Sequence, residues 1–390
     1  MNFELVKVNL MSLFAQMIQV GSFPTMIPIV LSAAGVSKAS VGVITSLPWL
    51  VVLFGAPLAS RIINRVGTKN AALVGLVISL AGLVLAAVSS GNVVWIGLSA
   101  LAMGAGLTLR WVACDTWIVQ LAGDGTRGRA IGIHESLMGF GIALGPFIIL
   151  LGAGNVTLYW IFSITLLIGA VAVLLFTGRT VPIKLPNEVS VGAMEISRFS
   201  VLLAGMYITV FGAMLSDYVE ISVVSFLPLF LTENSFSAEV SLLYLSAFGL
   251  GGTLLQFPLG YLADRFGLTK IQIISVLLVI FGAVFGARYV GYAVTDMLVM
   301  FFWGGVVGGL NTLAVIHAGS SSAEVNLSKN MAIIASAYTL GSVFGPFVSG
   351  LVWGDGSGGR IMVVFVLLSV LYLAGILISL GREKAWMRVN

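Results

Sequence analysis

Charge is scarce in this chain of 390 residues, of which only 9% are Asp, Glu, Lys or Arg. Soluble domains carry about 25% charged residues, so these are too few to cover a globular surface in water. Hydrophobic residues make up 59% of the sequence and come in long runs with short polar breaks between them. This composition excludes a water-soluble enzyme and a disordered chain, and it predicts many membrane-spanning helices.

Cysteine and clustered positive charge are also scarce. The single cysteine, Cys114, lies in an apolar run, which excludes a disulfide framework and a cysteine metal cluster. The net charge of +4 does not indicate nucleic-acid binding, because the basic residues stand singly between apolar runs. No phosphate-binding Gly-x-x-x-x-Gly-Lys-Ser loop occurs, and His134-Glu135 lacks the second histidine of a metal site. We therefore expect no enzyme and no cofactor, and we expect a proton gradient to supply the energy.

Twelve runs of about 20 apolar residues, the length that crosses a bilayer, predict twelve transmembrane helices. The first run has no small-residue cleavage pattern and is too long for a signal peptide, so we interpret it as a permanent span. The predicted helices lie near residues 5–32, 40–63, 70–90, 93–121, 130–151, 158–176, 199–231, 238–263, 271–290, 295–317, 328–352 and 361–380.

The basic residues predict the orientation of these helices. With the N-terminus in the cytoplasm, fifteen of the 19 Lys and Arg residues fall on the cytoplasmic side. Only Lys38, Arg288 and Arg360 fall outside, and Arg110 alone lies within the membrane. We therefore expect a multi-pass protein of the cytoplasmic (inner) membrane with both termini in the cytoplasm. We expect it to contact the lipid bilayer and to function as a monomer.

The two halves of the sequence repeat each other at a constant offset of 200 residues. The matched pairs are Pro28 with Pro228, residues 64–67 with 264–267, Gly104 with Gly304, and Gly141, Gly145 and Pro146 with Gly341, Gly345 and Pro346. The repeat predicts an all-α membrane protein of two six-helix bundles, 1–176 and 199–390, related by a pseudo-twofold axis along the membrane normal. A polar segment, 177–198, is predicted to be a cytoplasmic linker. Parallel repeats of this kind build transporters, whose substrate site lies between the halves near the midplane.

The loop after helix 8 predicts a gate on the cytoplasmic side. Its glycines permit close helix contact and a sharp turn, and its aspartate can accept hydrogen bonds from a helix N-terminus. A weaker copy of this loop follows helix 2, and Asp115 of helix 4 is expected to pair with Arg65 or Arg127 in the same gate. Charges that only set the topology are the alternative. The predicted gate residues are Gly260, Asp264, Arg265, Gly267, Lys270, Arg65, Gly67 and Asp115.

Residues 260–267, Gly-Tyr-Leu-Ala-Asp-Arg-Phe-Gly, resemble the loop signature of the major facilitator superfamily. The copy after helix 2 departs from that signature, with Ser60 and Asn64 where glycine and aspartate are expected. The resemblance implies a twelve-helix transporter whose helices 1, 4, 7 and 10 line a central cavity. The arginine of the family's usual helix 4 motif is missing near Ala100, so the proton-transfer role suggested for it is not carried over.

The Gly-x-x-x-Gly-Pro motif of helix 5 resembles a signature associated with the antiporter branch of that family. Glycines four residues apart let helices pack closely, and Pro146 removes a backbone hydrogen bond and is expected to kink the helix. The motif recurs with Pro346 in helix 11. The motif predicts either simple helix packing or a gating hinge, in both halves alike.

Five ionic residues lie within predicted spans, where a charge costs roughly 2.5–3.5 kcal/mol and needs a partner, a wet cavity or a proton. They are Arg110, Asp115, Glu135, Asp217 and Glu220. Asp217 and Glu220 share one helical face, where like charges disfavour double ionisation, so at least one is suited to load and release a proton. We predict these two acids and Glu135 as proton-coupling residues. A fixed ion pair of the acids with Arg110 is the alternative.

Polar and aromatic groups on the same helices are predicted to line the substrate cavity. Arg110 could bind an anionic substrate or bridge to Asp217. His134, close to the interface, is expected to be merely solvated. The cavity candidates are Arg110, Gln16, Gln19, Trp111, Asn311 and Tyr338.

The sequence thus predicts a secondary transporter that works by rocker-switch alternating access on a small molecule. Our leading hypothesis is proton-coupled export of small organic or amphipathic compounds. The alternative is an uptake symporter or uniporter for an organic anion or metabolite held by Arg110. Nucleic acid is not an expected partner.

Overall fold

The computed structural model describes residues 3–122, 127–152, 155–178, 196–286, 293–320, 327–353 and 358–389, which are almost wholly helical. The predicted linker at 177–198 lies largely outside these ranges. The helices are α1 (Phe3–Ala33), α2 (Lys38–Val66), α3 (Thr68–Val88), α4 (Val93–Leu121), α5 (Arg127–Leu151), α6 (Val156–Leu175), α7 (Ile196–Glu233), α8 (Ala238–Leu254 and Gln256–Phe266), α9 (Leu268–Gly286), α10 (Ala293–Ser320), α11 (Leu327–Val352) and α12 (Gly359–Val389). Within the described ranges, eleven helices are long and apolar enough to cross a membrane, and the two segments of α8 together make a twelfth. The predicted all-α fold of twelve spans is confirmed.

The chain forms two compact units. The first contains the described residues of Met1–Met194 together with Val224–Ser246, and the second contains those of Glu195–Val223 and Ala247–Asn390. The last part of α7 therefore belongs to the first unit. Its contacts there include a hydrogen bond of 2.9 Å from Thr25 Oγ1 to the Val224 carbonyl and an ion pair of 3.0 Å between Lys38 and Glu233.

Two helices depart from regular geometry just ahead of a proline. In α1, Met17–Ser22 form a π-helical turn before Pro24, and α8 bends by 42° between its two segments before Pro258. Proline has no N–H for the carbonyl four residues earlier, and its ring crowds that carbonyl. By contrast, α5 and α11 each run as one helix through Pro146 and Pro346.

The 200-residue repeat extends to helix contacts, each made within its own unit. A methyl group built on Gly104 of α4 would meet the backbone of Pro48, and one on Gly304 of α10 would meet the backbone of Phe248. These partners are themselves 200 residues apart. The repeat therefore preserves close helix–helix packing as well as sequence, since in both units only a glycine fits at this contact.

The loops after α2 and α8 turn at equivalent glycines. Gly67 has a φ of 83° and Gly267 a φ of 96°, a conformation that glycine adopts at little cost. Their N–H groups donate to the carbonyls of Ile63 and Ala263 at 2.8 and 3.0 Å, which closes the last turn of each helix. The sharp turn predicted for both loops is thus explained by one backbone geometry.

Candidate functional site

A buried polar network surrounds Arg110 in the first unit. Its guanidinium is fully buried, and its Nε donates to Gln19 Oε1 at 2.5 Å while its Nη2 donates to Gln16 Oε1 at 2.6 Å. The Gln19 amide in turn donates to Ser79 Oγ of α3 at 2.6 Å. Bonds from an ionised donor are short and strong. The sequence predicted the arginine and both glutamines as one group, but it missed the serine.

The backbone of α1 is irregular at this network, because Gln19 lies within the π-helical turn and Gln16 directly precedes it. Such turns are rare, occur mostly as single turns inside α-helices, and are frequent at functional sites. Here both amide oxygens reach the same guanidinium on α4.

Helix α5 packs directly against this part of α1. A methyl group on Gly141 would lie 2.9 Å from Gln16 Cβ, and one on Gly145 would lie 2.7 Å from the carbonyl oxygen of Gly21. Both distances are shorter than normal contacts, so only glycine fits at either position. These two glycines thus lie at a close contact between α5 and α1, and their role as packing residues or as a hinge stays a prediction.

The hydrogen bonds of Arg110 go to neutral groups of its own unit. Its third nitrogen, Nη1, lies 4.0 Å from the Met138 sulfur. Arginine stays protonated in proteins, and a buried charge is costly when only neutral groups solvate it. The network therefore holds a fixed positive charge within the helical bundle.

Asp217 of α7 is the corresponding buried ionic group of the second unit. Its side chain is fully buried, and neither carboxylate oxygen has a hydrogen-bond partner among the described residues. The Tyr338 side chain and the Ser342 backbone lie beside it, but not in normal hydrogen-bond geometry. Glu220 follows one turn later and is half-buried. The two acids predicted from their spacing therefore share a largely buried stretch of α7.

The second glycine motif packs against α7 as the first packs against α1. A methyl group on Gly341 would lie 2.8 Å from the Tyr218 backbone nitrogen, and one on Gly345 would lie 2.5 Å from the Tyr218 carbonyl oxygen. Each motif thus contacts the stretch of helix that carries the buried polar residues of its unit.

A third polar group joins α1, α4 and α5 near the end of the first unit where the chain begins. His134 is 2% exposed, and its Nδ1 lies 2.7 Å from Asn9 Oδ1. Its Nε2 lies 3.4 Å from Asp115 Oδ1. The expectation of a solvated His134 is wrong, because three helices enclose the ring. Asp115 contacts this histidine instead of Arg65, while the side chain of Arg127 lies outside the described part of the chain.

The remaining candidates are spread more widely. Glu135 is exposed on α5, Trp111 is half-buried on α4, and Asn311 on α10 has a buried amide oxygen without a partner in the described residues.

In the loops of the predicted gate, the charged side chains are exposed, and a methyl group on Gly260 would lie at ordinary contact distance from Thr312 and Ile316. The exposed gate charges are Arg65, Asp264, Arg265 and Lys270. Across the described ranges, the His, Cys, Asp and Glu side chains form no group of three or more that could hold a metal ion.

Twelve apolar helices in two repeating halves, with buried polar groups within the spans, define a multi-pass membrane transporter. The family model of the Major Facilitator Superfamily matches residues 9–249 and again 206–388. The chain therefore belongs to the Major Facilitator Superfamily, and its relatives and fold are those of transporters and not of enzymes.

Similar proteins cover nearly the whole chain. An uncharacterized MFS-type transporter, YfkF of Bacillus subtilis (strain 168), is 25% identical over 94% of this chain and 92% of its own length. YcaD of Salmonella arizonae, also described as an uncharacterized MFS-type transporter, is 23% identical over 97% of this chain and 96% of its own.

Solved structures show the same fold at lower identity. The nucleoside transporter NupG (D323A mutant) is 14% identical with a TM-score of 0.80, covering 96% of this chain and 99% of that one. A D-xylose-proton symporter is 17% identical with a TM-score of 0.74, covering 96% of both chains. These likenesses establish the architecture.

Proposed function

We propose that this member of the superfamily couples proton entry to the export of small organic or amphipathic compounds by rocker-switch alternating access. The basic residues support placing it in the cytoplasmic membrane with both termini inside. The chain has no phosphate-binding loop, so an ion gradient is the available source of energy, about 2.3 kcal/mol per charge per 100 mV.

The observation that carries proton coupling is the burial of Asp217 without a hydrogen-bond partner in the described residues. An isolated carboxylate in an apolar interior is far more costly than a protonated carboxyl group. We infer that Asp217 holds a proton in this conformation and releases it when water reaches it. The equivalent residues of α1 are Met17 and Val20, so the acids Asp217 and Glu220 do not belong to the repeated scaffold.

The export direction is supported by the Gly-x-x-x-Gly-Pro motif of α5, which resembles the antiporter signature. The second candidate function is uptake of an organic anion, and the observation that favours it is Arg110. The hydrogen bonds of this buried guanidinium go to neutral groups, so its positive charge attracts an anion. Its planar set of N–H donors matches the oxygen atoms of a carboxylate or phosphate.

Amide variants test the coupling. In proteoliposomes with an imposed pH gradient, we expect Asp217→Asn to abolish proton-driven accumulation of ethidium, an amphipathic probe, and Glu220→Gln to weaken it. The variant Glu239→Gln removes an exposed acid at the start of α8 and should transport as the parent does. Unchanged proton coupling in both single amides and in the double variant would discard the assignment.

The direction in which each probe moves under an inward-directed proton gradient separates the two candidate functions. An exporter with an inward-directed proton gradient should expel ethidium from right-side-out vesicles, whereas an anion symporter should accumulate benzoate under the same gradient. Movement of benzoate without any effect on ethidium would favour the second candidate.

A further inference from the structure

We propose that His134 and Asp115 form a second proton-binding site, inside the N-terminal unit at the end where the chain begins. The inference rests on the proposed proton coupling, and it adds a site on different helices from Asp217. Its ligand is a proton taken from the aqueous side.

Both ring nitrogens of His134 face oxygen atoms. Nδ1 lies 2.7 Å from the amide oxygen of Asn9, and Nε2 lies 3.4 Å from the carboxylate of Asp115. A neutral imidazole has one donor and one acceptor nitrogen, while the protonated ring has two donors. The protonated ring can therefore donate to Asn9 through Nδ1 and hold its positive charge beside the Asp115 carboxylate, at an ion-pair distance without hydrogen-bond geometry.

The two partners differ in their access to water. The Asp115 side chain is 45% exposed, whereas His134 is 2% exposed as a residue. A proton collected on the Asp115 carboxylate can pass to Nε2, whose lone pair forms the new N–H bond while the electrons of the O–H bond remain on the carboxylate. The exposed acid thus supplies the buried base.

The charged groups on the neighbouring helices differ in their partners. On α1, Lys7 Nζ lies 2.8 Å from Glu4 Oε1, and on α4, Arg110 is bound by its two glutamines and also interacts electrostatically with Asp115. Helix α6 carries no charged residue. On α5 itself, Arg129 and Glu135 are exposed, and Glu135 is near enough to both Asp115 and His134 to interact with their charges.

The chain supplies a matched control in its only other histidine. His317 of α10 lies 3.2 Å through Nδ1 from Thr209 Oγ1, and Thr209 is the repeat equivalent of Asn9. The residues at the equivalent positions 9 and 209 therefore both contact a histidine. Asn9 does so through its amide oxygen, and Thr209 does so through its hydroxyl group. Replacing His317 thus removes a comparable imidazole while leaving the pair of His134 and Asp115 intact.

The first test measures ethidium transport in proteoliposomes while the pH on the N-terminal side is varied between about pH 5 and pH 8. We expect the parent rate to change by roughly tenfold over this range and the His134→Gln and Asp115→Asn rates by less than about twofold. His317→Gln should follow the parent. A parent-like pH profile in His134→Gln would overturn the proposal.

The second test does not depend on transport. With the imidazole nitrogens isotopically labelled, magnetic resonance of the purified protein should show two histidine signals, which His317→Gln reduces to the His134 signal. We expect that signal to report proton uptake between about pH 5 and pH 8, and Asp115→Asn to alter its pH dependence. A His134 signal that stays constant over this range would overturn the site. If His134 binds a proton while the Asp217 variants keep full coupling, the proposed role of Asp217 fails and this site stands.

Discussion

Replacing Gly145 by alanine is expected to lower the stability of the protein by at least about 3 kcal/mol, the upper end of ordinary overpacking effects. The new methyl group would lie 2.7 Å from the Gly21 carbonyl oxygen and nearer still to other Gly21 backbone atoms. Backbone on both sides of the contact cannot move aside as a flexible side chain can. The two helices must separate, which also disturbs the π-helical turn beside them.

The measurement is the melting temperature and the yield of monodisperse protein in detergent. Gly169→Ala on α6 is the matched control, because nothing lies within 4 Å of the added methyl group, and it should melt as the parent does. Gly345→Ala should resemble Gly145→Ala, since its methyl group would lie 2.5 Å from the Tyr218 carbonyl oxygen. Equal melting of Gly145→Ala and Gly169→Ala would contradict the packing described here.

The same experiment separates packing from a hinge. If the glycines serve packing, transport should fall in proportion to the folded protein that remains. A hinge role predicts that the surviving folded protein binds ethidium normally but moves it slowly. The ratio of transport to folded protein therefore decides between the two interpretations that the sequence left open.

The helices were predictable because a bilayer requires about 20 consecutive apolar residues, a constraint visible in the sequence. Residues 93–121 were predicted for helix 4, and α4 spans Val93–Leu121. The irregularities were harder to foresee. The sequence does not show which prolines follow an irregular turn, because several lie inside helices or near helix breaks, among them Pro24, Pro28, Pro48 and Pro258. Only the packed structure shows that Pro24 and Pro258 follow departures from regular helical geometry.

The site was predictable in its residues and not in its contacts. The sequence shows that Arg110 is a charge in a membrane, but which helix faces it depends on tertiary packing. Asp217 and a substrate anion were the expected partners, and the structure places Gln16 and Gln19 on the guanidinium. The spacing of the polar residues 9, 12, 16 and 19 along one face of α1 could have indicated this, since residues three or four apart share a face. Asn9, the first of these four polar residues, contacts His134.

Replacing Arg110 by methionine is the second change with a large expected effect. Removing one partner of a buried polar network leaves the others unsatisfied, which costs about 1–3 kcal/mol for each neutral buried group. The Gln16 and Gln19 amides would lose the donors they accept from at 2.6 and 2.5 Å. We expect a lower melting temperature in detergent, with Arg129→Met, which removes an exposed arginine of α5, melting as the parent does.

A compensated variant shows whether the network serves stability alone. Replacing both glutamines by leucine together with Arg110→Met exchanges the polar network for apolar groups of similar size, an exchange that is often neutral or stabilising. We expect this triple variant to recover most of the lost melting temperature and to remain inactive in transport of both ethidium and benzoate. Because a purely structural arginine would allow transport to return with stability, recovery of both together would refute a functional role for Arg110. Failure of the triple variant to regain stability would show that the hydrogen bonds to Arg110 are not what holds α1 against α4.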